Sequence, residues 1–110
     1  MNPSMPNQKI HDAMLTLAIP INLEEDVLDF LLLHPQWASG FSIVDAQGMG
    51  QGASLLSNME KVQGRSRRKL VLIVGLMQEL QLLLTALGDD IRNPDVAYWI
   101  YPIAAFGRLK

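Results

Sequence analysis

The stretch from Gly48 to Lys69, GMGQGASLLSNMEKVQGRSRRK, holds most of the chemistry this chain can offer. Gly48, Gly50 and Gly52 open it, with Gln51 between two of them, and Arg65, Arg67, Arg68 and Lys69 close it. Glycine permits positive φ and lets successive backbone N–H groups point into a concavity, as anion nests require. Arginine brings a fork of donors suited to phosphate or carboxylate. The candidate ligand-binding set is therefore Gly48, Gly50, Gln51, Gly52, Arg65 and Arg67, with Arg108 closing the site from a neighbouring copy. The expected ligand is a small anion or a nucleotide. Strand alternation puts Arg65 and Arg67 on one side and Arg68 on the other, so at most two of them converge from one subunit. Two other readings fit the same residues: a surface loop with a solvated basic stem, and a contact for a partner protein.

Other chemistries find less support. No GxxxxGK[ST] pattern is present, which excludes a P-loop. Cysteine is absent, so disulfides, CxxC redox chemistry and thiolate zinc sites are excluded. His11 and His34 stand alone, and His11-Asp12 is a pair of ligands rather than a site. Met5, Met49 and Met59 are soft donors at irregular spacing, the pattern of packing residues more than of a Cu(I) site. No resident metal or cofactor is expected. Ser54, Ser57 and Ser66 lack a base nearby in sequence, and Asp45 reads as a solvated strand carboxylate, so no catalytic residue is assigned and the chain is not expected to be an enzyme. RNA-binding proteins of βαββαβ order carry aromatic residues on their central strands, where this chain has Leu, Val, Ile and Met, and nucleic acid is not an expected partner.

The totals bound the remainder. A chain of 110 residues, 49% hydrophobic, can bury a core without staples. The net charge of −2 gives no global attraction to nucleic acid or anionic lipid, although Lys61, Arg65, Arg67, Arg68 and Lys69 cluster without an intervening acid. Residues 1–10, rich in Pro, Asn and Ser, read as a loose tail, and 11–110 as one domain. The N-terminus does not read as a signal peptide, and no apolar run approaches the ~20 residues of a membrane helix. A soluble, cytoplasmic protein is expected.

The elements that must position the stretch follow from periodicity. AMLTLAI, residues 13–19, is apolar on both faces except for Thr16, as a central strand would be. Asn22 and Glu25 have the spacing of a capping box, predicting a helix over 23–34 that Pro35 ends. FSIVDA predicts a second strand with Phe41, Ile43 and Asp45 facing one way, and RRKLVLIVG a third. Leu76, Leu80, Leu83, Leu84 and Leu87 share a helical face that Gly88 is expected to stop, with GDDIRNPD a turn. VAYWIY is a last strand before Pro102. The order β-α-β-β-α-β is that of an α+β, ferredoxin-like sandwich with a long loop between its second and third strands. Right-handed crossovers make the first and third strands the central pair, with both helices on one face. The other face is also apolar, so a second copy of the chain, or the C-terminal PIAAF segment folding back, must cover it.

The glycine entrance at 48–52, the VQGR exit at 62–65 and the RRKLVLIVG strand resemble PII-like signal-transduction proteins, the nitrogen-regulatory superfamily. More narrowly, LEEDVLDFLLLHP, SGF, VQGRSRRK, YWIYP and the GRL ending are similar to a small PII-like family of uncharacterised proteins, often encoded beside heavy-metal efflux systems. The resemblance covers nearly the whole chain from about residue 13. It implies a compact homotrimer, ligand sites between subunits, a T-loop over 48–66 and control of a partner, such as a membrane transporter. A metal-binding or metal-tolerance accessory protein of an efflux system is the alternative it suggests. Two features depart from the nitrogen-regulatory pattern. GDDIRNPD, residues 88–95, does not match the glycine- and lysine-containing phosphate loop, and residues 48–66 contain no tyrosine to be modified. ATP, ADP and 2-oxoglutarate binding therefore do not transfer by motif.

Overall fold

A strand whose two faces are both apolar belongs in the interior of a sheet. The computed structural model, which describes residues 11–48 and 66–109, places the first strand there. In chain order the elements are β1 (Ala13–Pro20), a 3-10 turn (Ile21–Leu23), α1 (Glu24–Leu32), β2 (Phe41–Gly48), β3 (Ser66–Gly75), α2 (Met77–Asp90) and β4 (Ala97–Pro102). The sheet runs β2-β3-β1-β4, every neighbour antiparallel. β1 and β3 are thus the central pair, and the fold is the expected α+β, ferredoxin-like βαββαβ sandwich.

Residue parity divides the sheet. Leu15, Leu17 and Ile19 of β1 and Val71 and Ile73 of β3 are buried against Val27, Phe30 and Leu31 of α1 and Leu80, Leu83 and Leu87 of α2. The intervening residues face the other way. Val44, Trp99 and Tyr101 are 43–45% exposed on that open face, beside the half-buried Met14, Leu70, Leu72 and Val74. The C-terminal segment crosses only one end of it. There Phe106 packs its ring 4.7 Å from that of His11 and shares a concavity with Met14, Leu72 and Val74. The folding-back of PIAAF is therefore partial, and most of the apolar face stays open.

Three local expectations are corrected. Asn22 does not cap α1: the cap position is Leu23, without a side-chain hydrogen bond. Pro20, at φ −62° and ψ 150°, starts the 3-10 turn at Ile21, so Asn22 lies inside a turn already wound instead of at its non-helical start. α1 also ends earlier than predicted, and the His34 ring nitrogen Nδ1 meets the Phe30 carbonyl at 2.8 Å, capping the last turn while the ring stacks between Phe30 and Trp37. Gly88 does not stop α2. The helix continues to Asp90, and the turn is confined to 91–96.

The start of α2 has an unexpected cap. Its Leu76 position supplies no side-chain cap, but Asp12, from just before β1, accepts a 2.8 Å hydrogen bond from Met77 N–H. The backbone of Asp12 also donates to the Gly75 carbonyl and accepts from Ile103 N–H, both at 3.0 Å. One residue therefore joins the ends of β1 and β3, the start of α2 and the segment after β4.

These roles give two measurable contrasts. In urea unfolding, Leu15→Ala should cost about 2–5 kcal/mol, because it opens a cavity in the core, while Leu32→Ala on the exposed side of α1 should stay within about 0.5 kcal/mol. Asp12→Ala should cost about 0.5–2 kcal/mol through loss of the helix cap.

Candidate functional site

β2 and β3 end together where the chain leaves the sheet at Gly48 and returns at Ser66, two residues that are register partners. Pairing then sets Gln47 opposite Arg67, Ala46 opposite Arg68 and Asp45 opposite Lys69. Because partners across an antiparallel ladder share a face, Asp45, Gln47, Arg67 and Lys69 lie on the helix side and Arg68 on the open side. The predicted division of Arg67 from Arg68 is what the strand shows. These residues, with Ile21, line an open polar concavity of about 590 Å³.

The charges in it are partly committed. Lys69 Nζ donates to Asp45 Oδ1 at 2.5 Å and stands 3.8 Å from Glu24 Oε1 at the start of α1. Asp45 is 85% exposed, so the pair adds little to stability. It does perturb both groups. The hydrogen bond from Lys69, then its charge, holds the Asp45 carboxyl below the usual carboxylate range. The same bond raises the Lys69 ammonium above its ordinary value. Lys69 is thus engaged by two carboxylates, and Arg67 and Arg68 add two further positive charges nearer the strand end.

The predicted site residues are distributed unevenly. Arg67 is at this end of the sheet, exposed, and Gly48 is the last residue of β2. Gly50, Gln51, Gly52 and Arg65 lie outside the described residues, as do residues 1–10. Arg108 is elsewhere: it lines the concavity shared by His11, Met14 and Phe41, at the far end of the strands. Eight residues of β1 at ~3.3 Å each separate the two ends by about 25 Å, so Arg108 and Arg67 of one chain do not meet. On the open face two buried nitrogens, His11 Nδ1 and Arg68 Nη1, have no hydrogen-bond partner among the described residues.

Sequence reading counted Lys69 in the basic cluster and took Asp45 for a solvated strand carboxylate, but missed that the two pair. Their opposite charges were visible, but only the β2–β3 register, hidden by the long intervening segment, shows that they pair. His11 and Asp12 do not act together, since His11 stacks on Phe106 while Asp12 caps α2. Among the described residues no three His, Asp or Glu side chains gather as metal ligands, and no helix is long and apolar enough to cross a membrane.

The pair makes a pH-dependent prediction. A depressed carboxylate contributes stability at pH values above its unfolded pKa and loses that contribution as pH falls through its folded pKa. A raised ammonium contributes below its unfolded pKa and loses that contribution as pH rises through its folded pKa. NMR titration of the Asp45 carboxyl should therefore give a midpoint below the ordinary range, and Lys69→Met should move it upward toward that range. An unchanged midpoint would show that the ion pair does not persist in solution.

The whole described chain can be set beside known proteins. The crystal structure of a DUF3240 family protein from Shewanella baltica OS155 superposes with a TM-score of 0.70 at 24% identity, covering 90% of this chain and 97% of that one. CPII, a nitrogen regulatory PII-like protein from Thiomonas intermedia K12 whose structure is bound to ADP, AMP and bicarbonate, gives a TM-score of 0.66 at 15% identity, covering 92% and 98%. A putative PII-like signalling protein from Thermus thermophilus gives 0.60 at 14% identity, covering 86% and 88%. No curated protein matches the chain. These likenesses place the fold with PII-like proteins. The family model for DUF3240, a protein of unknown function, matches residues 9–110, and the chain belongs to that family.

Proposed function

We propose that this protein is a PII-like regulator that reads a small anionic ligand at the β2–β3 end of its sheet and controls a partner protein. The observation that carries the reading is the gathering of Arg67, Arg68 and Lys69 around an open polar concavity where the 49–65 segment leaves and re-enters the sheet. The fold is shared with CPII, whose structure is bound to ADP, AMP and bicarbonate, so a nucleotide or a small carboxylate-like anion is the ligand class to test. In this proposal Gly48, Gly50, Gln51 and Gly52 supply backbone donors, and Arg65 and Arg67 supply charge on one side of the strand. Ligand contacts order part of the 48–66 segment, a T-loop in this reading. Each residue fixed costs about 1–2 kcal/mol of backbone entropy, so one small ligand orders only a few of them. The ordered segment then engages or releases its partner, for which a membrane transporter is the candidate to test. The chemistry is recognition, not catalysis.

The proposed assembly is a homotrimer closed over the open face of the sheet. Val44, Trp99 and Tyr101, exposed beside the half-buried Met14, Leu70, Leu72 and Val74, support this assembly, because a second copy would cover that apolar face. Assembly also brings Arg108 of a neighbouring copy to the anion site, which a single chain cannot do.

Thermal unfolding against ADP, AMP, ATP, bicarbonate and phosphate, with the solution mass recorded, tests the reading. A ligand at a hundred times its Kd adds about 2.7 kcal/mol to the folded state. Replacing Arg65 and Arg67 together with alanine should remove that gain and leave the mass unchanged. Trp99→Asp should instead lower the mass to that of a monomer in sedimentation equilibrium. No response to any anion from an intact oligomer would overturn the ligand-reading function.

A further inference from the structure

A second concavity lies on the helix side of the sheet, between the C-terminal half of α2, the 91–96 turn and β4, and measures about 630 Å³. That is within the usual range of about 300–1,000 Å³ for small-molecule sites. Its floor is core: Leu17, Val27 and Leu87 are each 5% exposed or less yet line it. Above them the helix layer stops short of β4, leaving Tyr98 58% exposed at one side.

The polar rim is biased toward donors. The Thr85 hydroxyl already donates to the Gln81 carbonyl at 3.1 Å, and Asn93 Oδ1 already accepts from Asp95 N–H at 2.8 Å. What Asn93 retains is its amide N–H₂, next in sequence to the Arg92 guanidinium. A single cation with a neighbouring amide suits one carboxylate. The surrounding Asp89, Asp90 and Asp95 oppose a ligand with several negative charges.

Gly88 adds a separate observation. It lies within α2, where glycine is unfavourable, and its backbone is not in the left-handed region. A Cβ added there would meet nothing within 4 Å, so packing does not require glycine either. Gly88 does line the cleft, so a bulky side chain at this position would project into its mouth.

We propose that this cleft binds an amphipathic monocarboxylate, its apolar body over Leu17, Val27 and Leu87 and its carboxylate against Arg92 and Asn93. The site is separate from the β2–β3 end and stands whether or not anions bind there.

Decanoate and decanol titrated into the full-length protein, followed by amide NMR shifts and calorimetry, test it. Decanoate should saturate with shifts confined to residues 84–98, Leu17 and Val27. Arg92→Gln should weaken decanoate about tenfold or more, the loss of a charge-assisted contact, and leave decanol unchanged. Gly88→Trp should abolish binding of both, while Gly88→Ala, which only adds a methyl in open space, should bind and melt no lower than the parent. Retained binding in a folded Gly88→Trp variant, with shifts on the open sheet face, would overturn the proposal. So would equal loss of decanoate and decanol on Arg92→Gln, or no saturable binding at all.

Discussion

The antiparallel ladder between β1 and β3 is the constraint from which the remaining arrangement follows. It runs from Ala13 opposite Gly75 to Pro20 opposite Arg68, and it carries apolar side chains on both of its faces. Helices cover one face, and the register decides which residues they cover. A slip of one residue would exchange the faces of β3, sending Val71 and Ile73 to the open side and bringing Arg68 toward the core. The placement of Arg67 and Lys69 on the helix side is therefore enforced by the burial of Val71 and Ile73 further along the same strand. The candidate site inherits its geometry from the core.

Much of this was legible in the sequence because strand alternation has a period of two and needs no knowledge of partners. It identified β1 and β3 as central, set Arg67 apart from Arg68, and showed that the second sheet face would be apolar. Helix ends were less legible. Asn22 and Glu25 carry the letters of a capping box, yet the dihedrals of Pro20 begin the winding earlier, and no local pattern signals that. Gly88 has the composition of a stop, but nothing follows it that prevents another half-turn. The cap that α2 does use comes from Asp12, distant in sequence. Likewise the Asp45–Lys69 pair and the position of Arg108 depend on register and chain path, which single-sequence patterns do not encode.

The charges at the β2–β3 end are arranged in depth. Lys69, further from the strand end, is held by Glu24 and Asp45, whereas Arg67 and Arg68 stand nearer the exit and point to opposite faces. The inner lysine thus links α1 to both strands, and the outer arginines carry the field that extends beyond the sheet. Attraction at this end is local, since the chain as a whole carries a formal charge of −2, and added salt screens such exposed charges over a Debye length of about 8–10 Å.

Asp12 gathers the beginning of β1, the end of β3, the start of α2 and the segment after Pro102 at one pole of the molecule. The 49–65 segment departs from the opposite pole, about 25 Å away. Within one chain, a surface attachment, fluorophore or fused domain joined at the C-terminal side of Phe106 is consequently anchored away from that chain's own β2–β3 end. A neighbouring copy that brings its Arg108 to the anion site would carry its own attachment there too, so a label at this position reports assembly by its distance from the arginine-bearing pole of the next chain.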